Sequence, residues 1–190
     1  MAPANATVDA GVLFETYHDP IYRYVLGLVK NPAEAEDLTQ DTFLRAYRYG
    51  ELLREPEAVR GWLYRIATHA CLDRLRQRKP LVSLDSDEGG DRVQPPVSQS
   101  PSPLKVSERK ETSACIQRCL DFLPDKYRAV ILLHEAHSLT APEIAALLGV
   151  TLTTVKIRLH RARRKLQQVM ERGCAVSNDS RGVPTCHPKS

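Results

Sequence analysis

At 190 residues the chain can form one large or two small domains, and two regions of roughly 80 residues could each bury a modest core. No apolar run approaches the roughly 20 residues that cross a bilayer, and the amino-terminal MAPANATVDAG lacks the regions of a signal peptide, so a soluble cytoplasmic protein without membrane insertion is expected. The net charge of +4 is uneven: residues 1–80 hold 11 basic and 11 acidic side chains, 81–110 hold 4 and 5, and 111–190 hold 12 and 7, so any polyanion-binding surface belongs mainly to the C-terminal part.

Leu13, Phe14, Tyr17, Ile21, Tyr24, Val25 and Leu28 recur at steps of three and four, the stripe of an amphipathic helix that Pro20 should bend or restart. NPAE then supplies an Asn31 N-cap, Pro32 at the first helical position and Glu34 to close a capping box, predicting a helix to about Tyr49. Its faces differ: Ala35, Leu38, Thr42 and Ala46 lie on one, Asp37, Gln40, Asp41 and Leu44 on the other. Leu44 among polar neighbours hints at a protein partner, although the same face also fits an ordinary acidic helix exterior. A third helix is expected from about Gly61 to Arg78, with Leu63, Ile66 and Ala70 inward. On it Arg65, His69, Leu72 and Arg76 share a face leading into RLRQRK, a second cationic surface, and Trp62 fits the core better than a stacking platform.

From Leu81 to Lys110 the composition turns to Gly, Ser and four prolines without apolar periodicity, which reads as a flexible linker. Domains are therefore expected at 10–80 and 111–170, with a tail over 171–190. After it, Ile116, Leu120 and Leu123 precede Pro124, and KYRAVILLHEA predicts a further helix. EIAALLGV and TLTTVKIRLHRARRKL then form a helix pair, with Gly149 in the turn and Thr151 as N-cap. Val155, Leu159, Ala162, Leu166 and Val169 fall within about 80° of arc and should pack inward. Opposite lie Thr153, Lys156, Ile157, His160, Arg161 and Arg164, and from Thr151 to Met170 six bases meet no acid. A helix-turn-helix presents such a face to the major groove. Ile157 is apolar among these bases, and two readings stand: contact with a thymine methyl, or packing on a neighbouring protein surface. With no strand-like alternation anywhere, the fold class is all-α, two small helical domains of which the second is a helix-turn-helix domain.

Little here suggests an enzyme, a cofactor or a metal. In HEAH, His134 and His137 are three residues apart rather than the four of the two-histidine zinc helix, and there is no Gly-rich phosphate loop. The five cysteines are odd in number and lack a disulfide-scaffold spacing, as a reducing compartment allows. Cys115 and Cys119 fit half-buried core better than a redox or metal pair, and His18 and His137 read as surface residues. The tail reads as irregular because of Gly182, Pro184 and Pro188. Its Cys174, Cys186 and His187 leave a passive segment, a thiol-responsive one closed by a disulfide, and an incomplete metal site as alternatives.

The order AEDLTQDTFLRAYR, GWLYRIATHACLDRLR, linker, LPDKYRAVILLHEAHSLTAPEIAALLGVTLTTVKIRLHRARRKL resembles the bacterial sigma factors of the sigma-70 family, extracytoplasmic function type. The resemblance implies that Asp37, Gln40, Asp41 and Leu44 dock on the clamp coiled coil of core RNA polymerase. It further implies that Arg60, Arg65, His69 and Arg76 serve minus-ten DNA. Thr153, Lys156, Ile157, Arg158, His160, Arg161 and Arg164 would serve the minus-thirty-five element, with Arg158, Arg163 and Arg164 mainly on phosphates. Promoter DNA and an anti-sigma factor are the other partners implied. His69 stands where the family usually has asparagine, and Thr153 and Ile157 depart from its more usual small residues or serine.

Overall fold

Burial of the first apolar stripe builds α1 (Ala10–Val29), on which Ile21, Tyr24, Val25 and Leu28 are wholly buried. In the computed structural model, which describes residues 10–50, 58–78, 117–178 and 184–188, this helix runs through Pro20 and does not restart there. It ends at Lys30, whose φ of 63° is left-handed and whose N–H closes on the Leu26 carbonyl at 2.9 Å.

The second helix, α2 (Pro32–Tyr49), starts as the sequence predicts, with Asn31 Oδ1 accepting from the Glu34 N–H at 3.1 Å. The Glu34 carboxylate, expected to close a capping box, instead pairs with Arg74 at 3.3 Å and with Arg78, both on α3 (Val59–Arg78). Two cations across a helix interface offer a buried carboxylate more than one exposed amide does. The buried hydroxyls of Thr39 and Thr42 donate back to the carbonyls of Ala35 and Leu38, both at 2.7 Å. Leu63, Tyr64, Ala67, Thr68, Ala70 and Cys71 form the inward face of α3, with Ile66 and Trp62 half-buried against it. Because Thr68 donates to the Tyr64 carbonyl at 2.6 Å, the Tyr24 hydroxyl donates to Thr68 at 2.8 Å. Burial pushes the Cys71 thiol up to about 12 and the Tyr24 phenol higher still, so neither ionises near neutrality.

In the second half, helical residues 117–121 lead to α4 (Asp125–Ile131), which continues as a π-helical turn, Leu132–Ala136. Then come α5 (Ala141–Leu148) and α6 (Leu152–Gly173). One apolar core runs from α1–α3 into α4–α6 and joins Leu28 and Leu63 to Val130, Leu133, Ile144, Val155 and Leu159. Arg128 is the polar centre of that junction, 3% exposed. Its guanidinium donates to the carbonyls of Leu120 at 2.9 Å, Leu28 at 3.2 Å, Asp121 at 3.1 Å and Leu123 at 2.7 Å. Cys119 packs on Leu166, Val169 and Met170, in keeping with a core role, while Cys115 and the expected linker lie outside the described residues.

Two further expectations need correction. His137 is half-buried rather than a surface residue: its ring stands 5.5 Å from Tyr24 and 5.1 Å from Tyr64, and its Nδ1 and the Tyr64 hydroxyl are hydrogen-bonded at 2.8 Å. No local pattern reveals this, because both rings lie more than 70 residues upstream. Nor is the tail wholly irregular, since β1 (Cys174–Asn178) and β2 (Pro184–Pro188) pair antiparallel, with Cys174 opposite Pro188 and Val176 opposite Cys186. Both strands are edges, where proline is tolerated. That register sets the two cysteines diagonally, at about 7 to 8 Å between Cα atoms, beyond the usual disulfide reach. The two parts 10–78 and 117–173 remain helical among the described residues, in keeping with the all-α class. Among the described residues no helix is long and apolar enough to cross a membrane.

The His137 environment sets a pH dependence. Burial, helped by the cations Arg60 and Arg23, pushes its imidazole down to about 4 from 6.5. The unfolded chain therefore binds a proton that the folded chain refuses between those values, so folding stability falls as pH drops through that window. Because the ring is only half-buried, solvent screening weakens the effect, and relative to a His137→Asn variant the stability of the parent in urea unfolding should fall by about 1 kcal/mol between pH 7 and pH 5. Equal losses in both proteins would show that the imidazole is not responsible.

Candidate nucleic-acid interface

The helix pair α5–α6 owes its shape to three local devices. Thr140 and Glu143 form a capping box at the start of α5, a T-x-x-E signal that is plain in the sequence although it was not among the expected caps. Gly149, at φ 65°, ends α5 in the left-handed conformation that only glycine adopts without cost. Thr151 Oγ1 then accepts the Thr154 N–H at 3.1 Å and starts α6.

On α6 the expected inward face is observed: Val155, Leu159 and Ala162 are buried, and Leu166 and Val169 half-buried. Thr153, Lys156, His160, Arg161 and Arg164 are exposed opposite, Ile157 is 46% exposed, and Arg158 is half-buried at the edge. The face is thus open, helical and cationic, with one apolar side chain at its middle. Its flanks are partly engaged: Arg161 donates to the Tyr127 hydroxyl at 3.4 Å, and Arg163 forms an ion pair of 2.6 Å with Glu135. The Arg163 hydrogen bond holds the Glu135 carboxyl below the usual carboxylate range. Arg163 would have to exchange Glu135 for a phosphate on binding DNA.

On α3, Arg65, His69, Leu72 and Arg76 share one face as the periodicity predicts, and Arg65, His69 and Arg76 are exposed. His69 Nδ1 donates to the Arg65 carbonyl at 2.7 Å, which leaves the neutral ring's Nε2 outward as an acceptor. Arg76 is paired with Asp73 at 2.9 Å. Arg60 does not join them: it lies about 140° around the helix from Arg65 and donates to the His137 carbonyl.

On α2, Asp37 and Leu44 are exposed, Gln40 donates to Glu36 at 3.2 Å, and Asp41 pairs with Arg45 at 2.8 Å. Tyr47, 75% exposed and one turn beyond the 56% exposed Leu44, extends this face. The three-residue spacing from Leu44 could have identified it. Among the described residues no cluster of His, Cys, Asp and Glu could hold a metal ion.

Two family models match the chain: Sigma-70 region 2 over residues 13–80, and Sigma-70, region 4 over residues 113–166. The ECF RNA polymerase sigma factor SigE of Mycolicibacterium smegmatis is 36% identical over 158 residues, an alignment covering 83% of this chain and 60% of that protein. The ECF RNA polymerase sigma factor SigW of Bacillus subtilis is 36% identical over 160 residues, covering 82% of this chain and 86% of the relative. Among solved structures, the sigma factor RpoE in complex with the anti-sigma factor NepR from Bartonella quintana superposes with a TM-score of 0.63 at 22% identity. The match covers 86% of this chain and 97% of that one and is a likeness of fold.

Proposed function

The chain belongs to the extracytoplasmic function RNA polymerase sigma factors of the sigma-70 family, and from that premise we propose that it binds core RNA polymerase, recognises minus-ten and minus-thirty-five promoter elements and initiates transcription of a specific set of genes. It acts as an initiation factor rather than an enzyme, in the cytoplasm. The observation that carries the reading is the outward face of α6, where Lys156, Ile157, His160, Arg161 and Arg164 stand exposed behind a glycine turn on a helix buried along its other side. Such a face suits the major groove of the minus-thirty-five element, with Ile157 against a thymine methyl and the arginines divided between bases and phosphates. Arg65 and His69 on α3 serve the opened minus-ten element. Asp37, Gln40, Asp41 and Leu44, extended by Tyr47, dock on the polymerase clamp.

The family likeness also supports an anti-sigma partner, because the Bartonella quintana relative was solved bound to one. The main test is transcription in vitro with purified core polymerase on a genomic promoter library. Specific start sites should appear only with the factor, and Asp37→Lys should weaken polymerase association while leaving duplex binding unchanged. A factor that binds promoter duplex tightly without polymerase and starts no transcript would instead be a repressor.

The minus-ten assignment makes a second prediction. With Nδ1 occupied by the Arg65 carbonyl, His69 offers an outward acceptor, whereas an asparagine offers an acceptor and a donor. His69→Asn should therefore initiate, with its preference at one minus-ten position changed by several-fold. An inactive but folded variant would contradict this exchange.

A further inference from the structure

One acidic side chain outside α6 lies on the rim of its cationic surface. At 100° per residue, Arg163 stands about 80° around α6 from the buried Val155, on the flank that also carries Lys156 and His160. Its guanidinium is turned onto the π-helical turn, where Nε donates to Glu135 Oε1 at 3.0 Å and Nη2 donates to the same oxygen at 2.6 Å. His134 stands beside the pair, its Nδ1 3.4 Å from that oxygen. Both backbones are fixed. Leu132 and Leu133 are buried ahead of Glu135, and the His137 N–H closes the turn on the Leu132 carbonyl at 3.1 Å. Ala162, next to Arg163, is wholly buried in the same core. The pair therefore forms with little further loss of backbone freedom.

Two N–H groups from one edge of a guanidinium meeting a single anionic oxygen is also the way arginine holds a phosphate. A duplex and Glu135 thus compete for the same edge of Arg163. An exposed ion pair shifts such a competition by about 1.4- to 5-fold, and the carboxylate also repels any phosphate that approaches the rim. The competition is blind to sequence, because phosphate contacts carry no sequence information directly.

We propose that Glu135 is a built-in phosphate surrogate, which occupies Arg163 and so lowers the affinity of the α6 surface for every duplex without altering which bases are preferred. The consequence for transcription rests on the sigma-factor reading above; the occupied guanidinium does not. A genome offers about 10⁶ to 10⁹ competing sites, so a uniform reduction of this kind leaves more of the free factor off DNA and available to polymerase.

Glu135→Gln keeps the size of the side chain and removes its charge. Binding of the full-length protein to a random-sequence duplex is followed by fluorescence anisotropy at several salt concentrations. This variant should bind about 3- to 10-fold more tightly than the parent at low salt, with a salt slope steeper by about one unit. Its base profile on promoter duplexes changed one pair at a time should match that of the parent. Arg163→Ala alone should stay within about twofold of the parent on random duplex, and adding it to Glu135→Gln should cancel the gain. Thermal midpoints of both single variants should lie within about 4 °C of the parent, since an exposed pair adds little stability. A Glu135→Gln protein that binds no tighter, while Arg164→Ala still weakens binding, would overturn the surrogate and leave the DNA-facing surface standing. A gain that survives in the double variant would overturn it too, because the carboxylate would then act through general charge rather than through Arg163. Duplex binding that neither Glu135→Gln nor Arg164→Ala changes would remove α6 as the DNA-facing surface, and the surrogate with it.

Discussion

Arg128→Ala should cost about 3 to 5 kcal/mol and lower the thermal midpoint by roughly 10 °C. The side chain is 3% exposed, and four backbone carbonyls, those of Leu28, Leu120, Asp121 and Leu123, accept from it. Alanine would leave these acceptors without their donor at about 1 to 3 kcal/mol for each one that stays dry, offset where water enters. Arg128→Lys should recover less than half, because one ammonium cannot address carbonyls spread around a planar fork. Calorimetry of the three proteins checks this, and a loss below about 1 kcal/mol in the alanine variant would mean that solvent reaches the site.

Arg161→Ala should lose about 1 to 3 kcal/mol, roughly 5- to 150-fold, at a single base pair of the minus-thirty-five element and little elsewhere. The argument is positional: Arg161 is one turn from the exposed Ile157, on the side of α6 that faces away from Val155 and Leu159. Arg164→Ala should weaken every sequence alike and reduce the salt slope of duplex binding by about one unit. Binding of the polymerase-bound factor to promoters changed one base at a time, at several salt concentrations, separates the two. Identical base profiles for both variants would remove the division between readers and phosphate clamps.

The α6 surface was legible in the sequence because periodicity alone fixes which side chains of a long amphipathic helix share a face, and six bases without an acid mark the outer one. The N-cap at Asn31 and the glycine turn at 149 were legible for similarly local reasons. Glu34 was misjudged because its choice between a nearby amide and the arginines of α3 depends on how two helices pack, which no local pattern encodes. Arg128 and His137 escaped notice for a stronger version of that reason. Arg128 is satisfied by carbonyls, which every residue carries, and His137 by tyrosines more than 70 positions away. The hairpin of the tail was hidden because pairing of two edge strands needs no alternation of apolar residues.

The length of α6 has consequences for specificity. Its 22 residues measure about 33 Å, but the major groove is only about 12 Å wide, so in the proposed docking the end bearing Thr153 and Ile157 would grip while the end bearing Leu166, Val169 and Met170, packed on Cys119, would act as the pivot. Over the roughly 25 Å between Thr153 and Met170, each degree of tilt moves the gripping end by about 0.4 Å. Two degrees exceed the roughly 0.5 Å range over which an N–H···O bond keeps its length. On the proposed docking, a change of side-chain volume at the pivot, far from any base, would therefore steer the angle of approach, and with it which base pairs would be read.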